Sequence, residues 1–401
     1  MKKFLILTWI VVFIATILFL GISCKEETVA PVEEAQAVEV DEEEIAEEIT
    51  TVPVEKVKIT IGLSPYQDVS SLIVAEKKGF FEKYGLEPEF IPIDWGGAIE
   101  LLAAESVDFA NMSDTDLGGK HESIPNIVFT NLLYLWEANM LVAQKDTEMK
   151  TFEDLKNEGM SDSDAAKAAC KQISGKAAVV ARKHGQEAFL RDCASYGGLD
   201  YNKEIDPYII DMQTEEGLPA FMGGDGDIFL PGIPQIHILT TEGYPVIIRL
   251  REIPVPGMVV QAGFGTYQKF AEENFDVVVR FQAVIFDTLE FIDQNPMEGF
   301  TIITEYLNAQ TAAGMTPEDL RDLYWNKLEY FPLAEESYNM TIVEDGSRYW
   351  KARWEQVFKQ FVDAEVISSM PDVSKINLWP IVMEAYLKQY NPELYDKLSS
   401  E

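Results

Sequence analysis

Apolar residues alternate along Val57, Ile59, Ile61 and Leu63 until Ser64-Pro65 ends the run, which predicts a strand followed by a loop. A short helix is predicted next. Ser70 or Ser71 can cap it, Leu72, Ile73 and Ala75 give it an apolar face, and Gly79 can adopt the left-handed conformation that ends it. Phe80 and Phe81 bury a further turn, Gly85 stops that turn, and Leu86 leads into the strand "EPEFIPID". Proline cannot donate to a strand ladder, so Pro88 and Pro92 place this strand at a sheet edge. The helix "GGAIELLAAES" and the strand "VDFANM" follow, giving the alternation expected of a parallel sheet with right-handed crossovers.

The pattern then repeats. "GKAAVVA" reads as a strand, "HGQEAFLRDCASYGGL" as a helix ended by glycines, "EIDPYIIDM" as a strand, and "EGLPAFMGGDGDIFL" as a helix running into a strand. The stretch from Asn157 to Ser174 is polar and then helix-prone, and is expected to be an insertion at the rim of this second unit. Beyond Val255 the chain turns helical, with Phe281, Val284, Ile285, Leu289 and Ile292 at helical spacing. Trp325, Trp350, Trp354 and Trp379 in this part are expected to be packing residues. These patterns suggest one lobe begun at 56–148, a second at 149–252, and a return to the first with C-terminal helices at 253–401.

The two ends of the N-terminal region differ sharply in composition. Met1 to Cys24 has two lysines and then an apolar run, Phe4 to Ile22, which reads either as an export signal or as a membrane anchor. Residues 24–55 are acid-rich, lack aromatic residues and carry Pro31 and Pro53, a composition with too little apolar surface to fold, so this segment is expected to be a disordered tether. Over the whole chain 68 acidic residues face 32 basic ones, a net charge of -36 that makes nucleic acid an unsuitable partner. Cys170 and Cys193 remain in the body, and in an exported chain they form either a disulfide or two buried thiols. The three histidines are scattered, so no metal site is specified, and no catalytic motif or cofactor-binding signature occurs.

Two resemblances sharpen these expectations. The N-terminus is similar to bacterial lipoprotein signals, with Leu20 and the small residues Gly21 and Ser23 ahead of Cys24; this implies cleavage of residues 1–23 and lipidation of Cys24. The body resembles the substrate-binding proteins of ABC importers, in the NMT1-like group that takes nitrate, sulfonates, taurine and thiamine precursors. "AEKKGFFEKYGL" from Ala75 to Leu86 carries most of that resemblance, joined by "TFEDLK" at Thr151, "AFMGGDGDIFLPGIPQ" at Ala220 and "VVVRFQAVIFDTLEFIDQNP" at Val277. It implies an α/β, two-lobed type II periplasmic-binding-protein fold, each lobe a mainly parallel sheet flanked by helices, the two joined by crossing hinge strands. Pyrimidine synthases with this fold are marked by a cysteine-rich iron motif, which a chain with three separated cysteines lacks.

Ligands of open parallel sheets sit at the carboxyl ends of the strands, and that rule selects the loops that would hold one. Tyr66, Trp95 and Trp136 could stack on a ring or cage a cation, with Gln67 beside the first. Gly96 and Gly97 would let backbone donors approach an acidic group. The resemblance points to Ser113 and Asp114 as polar contacts. Lys183 and His184, beside Arg182, would suit an anion, and Pro231 marks the loop after the last strand of the second lobe. Asp68, Asp94, Asp114, Asp116 and Glu137 border the same cleft and would suit a cation instead, so the ligand's charge stays open. The expectation is a monomeric, membrane-anchored solute receptor outside the cytoplasm, with no enzymatic role and no cofactor. It would close around a small organic molecule and pass it to ABC permease subunits; the competing expectation is a ligand-sensing or surface lipoprotein.

Overall fold

A computed structural model of the protein describes residues 56–253 and 259–400. The signal, Cys24 and the acidic tether lie outside the described residues. The described residues belong to the unit that begins at Pro53.

Eleven strands are described: β1 Val57–Leu63, β2 Leu86–Pro92, β3 Phe109–Ser113, β4 Ile127–Trp136, β5 Met140–Ala143, β6 Ala178–Val180, β7 Ile209–Asp211, β8 Ile228–Phe229, β9 Val246–Arg249, β10 Val260–Tyr267 and β11 Glu329–Tyr330. They form two sheets, β2-β1-β3-β10-β4-β11 and β7-β6-β8-β5-β9. Each sheet thus has its first three strands in the order two, one, three, then a crossing strand, β10 in the first and β5 in the second, then the fourth. Pairing is parallel within β2-β1-β3 and β7-β6-β8, while the crossing strands β10 and β5 run antiparallel to their neighbours. The two-lobed α/β class is the one expected, built from mixed sheets whose parallel part is confined to the strand-helix-strand units.

The local logic of the first unit is visible in its glycines and prolines. Gly79 and Gly85 take φ of 75° and 65°, so each turns the chain sharply without steric cost. β2 is an edge strand, and Pro88 and Pro92 sit opposite Ile59 and Leu63 of β1 with their other side unpaired. The long β4 is buried along nearly its whole length, as expected of a central strand covered on both faces. The helices Phe275–Gln294 and Trp379–Tyr390 pack against it, and their Val278, Phe281, Ile285, Val382 and Met383 are buried. Trp354 and Trp379 are fully buried and Trp325 stacks on Phe331 with centroids 3.5 Å apart, so these three rings are packing residues.

Three expectations need correction. β5 pairs with β8 and β9, so the chain leaves the first sheet before Met140 and not near 148: Val142 is opposite Phe229, and its flanking residues are fully buried in the second sheet. Residues 157–174 are no rim insertion. Helix Asp162–Lys171 buries Ala165, Ala166, Ala169 and Cys170, and its Cys170 is joined to Cys193 of helix Gly185–Gly197 with Cα atoms 5.2 Å apart. The "EIDPYIIDM" strand is short, because Asp206-Pro207-Tyr208 forms a helical turn and only Ile209–Asp211 pair.

Candidate functional site

The carboxyl ends of β1, β3, β6, β7 and β8 converge on a cavity between the two sheets. Its wall includes Tyr66, Asp68, Trp95, Ser113, Asp116, Tyr134, Trp136 and Asn139 from the first sheet's side. His184, Gly185, Gln186, Gln213, Thr214 and Gly232 close it from the second. The space open to the centre of a water molecule is about 60 Å³. At roughly 10–15 Å³ for each water position, that admits an occupant of about single-ring size.

The rings are held rigidly. Tyr66 meets Trp95 edge to face, with centroids 5.6 Å apart. Trp95 Nε1 donates to Asp116 Oδ2 at 2.8 Å, and Trp136 Nε1 donates to Asn139 Oδ1 at 2.9 Å. A buried indole needs such a partner, so these bonds orient the faces of both tryptophans.

Asp116 is the hub of the wall. Ser113 caps helix Asp114–Lys120 by accepting from the Asp116 amide, while the Asp116 carboxylate accepts from the Ser113 amide at 3.0 Å and its hydroxyl at 2.7 Å. From the other sheet, His184 Nδ1 lies 3.0 Å from Asp116 Oδ1. Burial pushes the Asp116 carboxyl up, but the bonds from His184, Ser113 and Trp95 offset it and hold the group below the usual carboxylate value.

Three further contacts join the two sides. Tyr66 Oη donates to Glu215 Oε1 at 2.8 Å. Gly119 faces the carbonyl of Lys183, where an added Cβ would be 2.8 Å from that oxygen, and Gly232 faces Tyr66, where it would be 2.5 Å from the ring. Only glycine permits either approach.

Beneath the cavity lies a pair of acids. Asp68 is 1% exposed, and its Oδ1 accepts the Val69 amide at 2.6 Å. Burial pushes its carboxyl up to about 6, against the bonds from the Tyr134 hydroxyl and the Val69 amide. Glu329 of β11, also 1% exposed, accepts from Gln67 Nε2, and burial and the neighbouring Asp68 carboxylate push it well above its usual value.

The candidate residues from the sequence divide into three groups. Tyr66, Trp95, Ser113, Trp136 and His184 line the cavity together. Gln67 is buried under the floor, and Pro231 lies one residue outside the wall that Gly232 forms. The others point elsewhere. Asp114 is buried against Arg353, with Oδ2 2.7 Å from Nε, because it closes the core under its helix. Glu137 pairs with Arg348 at 3.3 Å. The Gly97 amide is taken by Asp94 Oδ1 and Gly96 packs on Gln213, so this glycine pair aims no free donor into the cavity. Lys183 is exposed while its amide donates to Glu187, and Arg182 is bonded to Asp206, so the basic cluster does not face the cavity as a cluster. Tyr134, Asn139, Gln213 and Thr214 were not singled out. Gln213 and Thr214 follow β7 directly, where the strand-end rule reaches them; Tyr134 is hidden within the apolar run of β4.

Among the described residues no group of metal-ligating side chains is found, and no helix is long and apolar enough to cross a membrane. A family model described as the NMT1-like family matches residues 53–295. A Bacillus subtilis (strain 168) protein provisionally named the binding protein YtlA is 25% identical over 265 residues, 64% of this chain and 70% of YtlA. The periplasmic nitrate-binding protein NrtA from Synechocystis PCC 6803 superposes with a TM-score of 0.61 at 15% identity, over 84% of this chain and 89% of NrtA. The periplasmic aliphatic sulphonate binding protein SsuA from Escherichia coli does so with a TM-score of 0.57 at 11% identity, over 80% and 91%. The desulfurization enzyme DszB shares the architecture as well, with a TM-score of 0.53 at 11% identity over 83% and 99%. At these identities the solved structures establish the periplasmic-binding-protein fold and leave the ligand to the site itself.

Proposed function

The chain belongs to the NMT1-like family, and from that premise we propose that it is the solute receptor of an ABC-type importer, working outside the cytoplasm. One observation carries this reading: an aromatic-walled cavity of single-ring size is closed over by side-chain bonds from both sheets, Tyr66 to Glu215 and Asp116 to His184. Such bonds form only when the lobes approach. A ligand touching both lobes therefore shifts the population toward the closed form, which is the form a permease would read.

The groups on the wall support binding more than chemistry. The Ser113 hydroxyl donates to Asp116 and not to His184, so the two do not form a nucleophile and base pair. In this reading Cys24 carries the lipid, the acidic segment 24–55 tethers a monomeric body to the membrane, and the cargo is a small organic solute.

The test is native mass spectrometry of the full chain, purified in mild detergent without denaturant, followed by small-angle scattering with and without the retained molecule. A retained small molecule whose removal expands the body is the expected result. A body that holds nothing, and keeps its radius of gyration across a panel of solutes, would leave the fold serving as a sensor or surface protein.

A further inference from the structure

The charges around the cavity do not balance. Lys120 is bonded to Glu100 and the Gly96 carbonyl, Arg353 to Asp114, Arg348 to Glu137, Arg182 to Asp206, and His184 to Asp116. Among the described residues Asp68 and Glu329 have no such cation. Both are nine-tenths or more buried, and one Glu329 oxygen and the Gln67 side-chain carbonyl have no hydrogen-bond partner at all. Buried carboxylates without a counter-charge are costly unless they hold a proton or meet a cation, and of the two only Asp68 reaches the cavity.

The walls above this floor are aromatic. Tyr66, Trp95, Tyr134 and Trp136 surround the cavity that Asp68 and Asp116 line, and no lysine or arginine side chain lines it. Ring faces attract cations. Backbone donors at the start of helix Gly185–Gly197 also reach the wall, yet an anion drawn to them would lie in a cavity bounded by two carboxylates.

We infer that the cleft takes a small organic cation, a protonated amine or amidine on a flat ring, with its N–H donors on Asp68 and its face against Tyr66, Trp95 and Trp136. The assignment rests on the solute-receptor reading and narrows it. Glu329 sits behind Asp68 and Gln67 without touching the ligand, and because burial and Asp68 push its carboxyl toward the neutral form, Asp68 is the charge that the ligand meets. Titratable groups that share the site with Asp68 are Tyr66 beside it, Tyr134 on β4, Glu329 on β11, and Asp116 with its partner His184.

Calorimetric titration of the full chain tests this with two cationic probes, 4-aminopyridinium and benzamidinium, and two anionic ones, methanesulfonate and nitrate. A cation is expected to bind at pH 7, with Asp68→Asn weakening it at least tenfold and Glu329→Gln, which mimics the protonated carboxyl, weakening it far less. In the unaltered protein the cation's affinity is expected to fall as the pH drops below about 6, since a proton then competes for Asp68. The pH series keeps the test open should Asp68→Asn fail to fold. Anion binding that Asp68→Asn leaves unchanged, or cation binding indifferent to Asp68→Asn and to pH, overturns the cation assignment while the receptor reading stands. No binding by any probe, together with no retained molecule in native mass spectrometry, overturns both.

Discussion

Replacing Asp68 with asparagine should stabilise the ligand-free protein at neutral pH, and the gain should vanish in acid. The Asp68 carboxyl is raised from 3.8 to about 6 by burial, so the folded state holds a proton that the unfolded chain gives up. As pH rises from about 4 to 6 the folded state is therefore penalised by roughly 3 kcal/mol, and above that window the penalty is constant. Asparagine removes the penalty but weakens two bonds, from the Val69 amide at 2.6 Å and from the Tyr134 hydroxyl. Losing their charge assistance costs about 1–1.5 kcal/mol, which leaves a net gain of roughly 1.5–2 kcal/mol at pH 7. With an unfolding entropy of about 0.7 kcal/mol per kelvin for a body of this size, the melting midpoint should rise by roughly 2–3 °C. Near pH 4 the folded carboxyl is protonated and the unfolded one nearly half so, which leaves only about 0.5 kcal/mol of the penalty, and the substitution should be neutral or slightly destabilising. Differential scanning calorimetry or urea unfolding of both proteins across pH 4–8 reads this directly. A difference that does not change with pH, or a variant as destabilised at pH 7 as at pH 4, would mean that Asp68 is ionised beside a compensating charge and the argument is wrong.

Three other expectations follow from the geometry. Gly119→Ala places a methyl 2.8 Å from the Lys183 carbonyl, so it should hold the lobes apart and weaken ligand binding about tenfold, the effect of roughly 1–1.5 kcal/mol of overpacking. The melting midpoint of the ligand-free protein should barely move, and scattering should report a body that no longer contracts; undiminished affinity would refute the wedge. Arg353→Met leaves the fully buried Asp114 without its counter-charge and should cost about 3–5 kcal/mol in urea unfolding, most of which Asp114→Asn in the same chain should restore. Replacing Cys170 and Cys193 with alanine opens a loop of 23 residues and should cost about 3 kcal/mol, detectable as early loss of amide protection in the second sheet.

Much of the fold was legible because its punctuation is local. Gly79, Gly85, Pro88 and Pro92 each restrict the backbone at one position, and together they mark a helix, a turn and an edge strand without reference to the rest of the chain. The same holds for the rings at the cleft, since Tyr66, Trp95 and Trp136 lie at strand ends that the order of elements identifies. Asp114 and Glu137 were misassigned for a different reason. Their cations, Arg353 and Arg348, lie more than two hundred residues away, and no local pattern distinguishes a carboxylate that pairs across the core from one that meets a ligand. Glu329 escaped for the same reason, reaching the site only because β11 adds to the far edge of the first sheet. Residues 157–174 read as a rim segment because their polar start hides four small side chains that pack onto a neighbouring helix.

The order in which the strands leave the ribosome differs from the order in which they pair. The second sheet is drawn entirely from residues between Met140 and Arg249, so it can assemble as soon as that stretch is free. The first sheet cannot, because β10 and β11 must arrive to flank β4, and Phe129 finds its last backbone partner in Asn377. Long-range pairing of this kind closes slowly. The middle of the chain can therefore pair its strands first, while β4 keeps both of its edges open until β10 and then β11 are made.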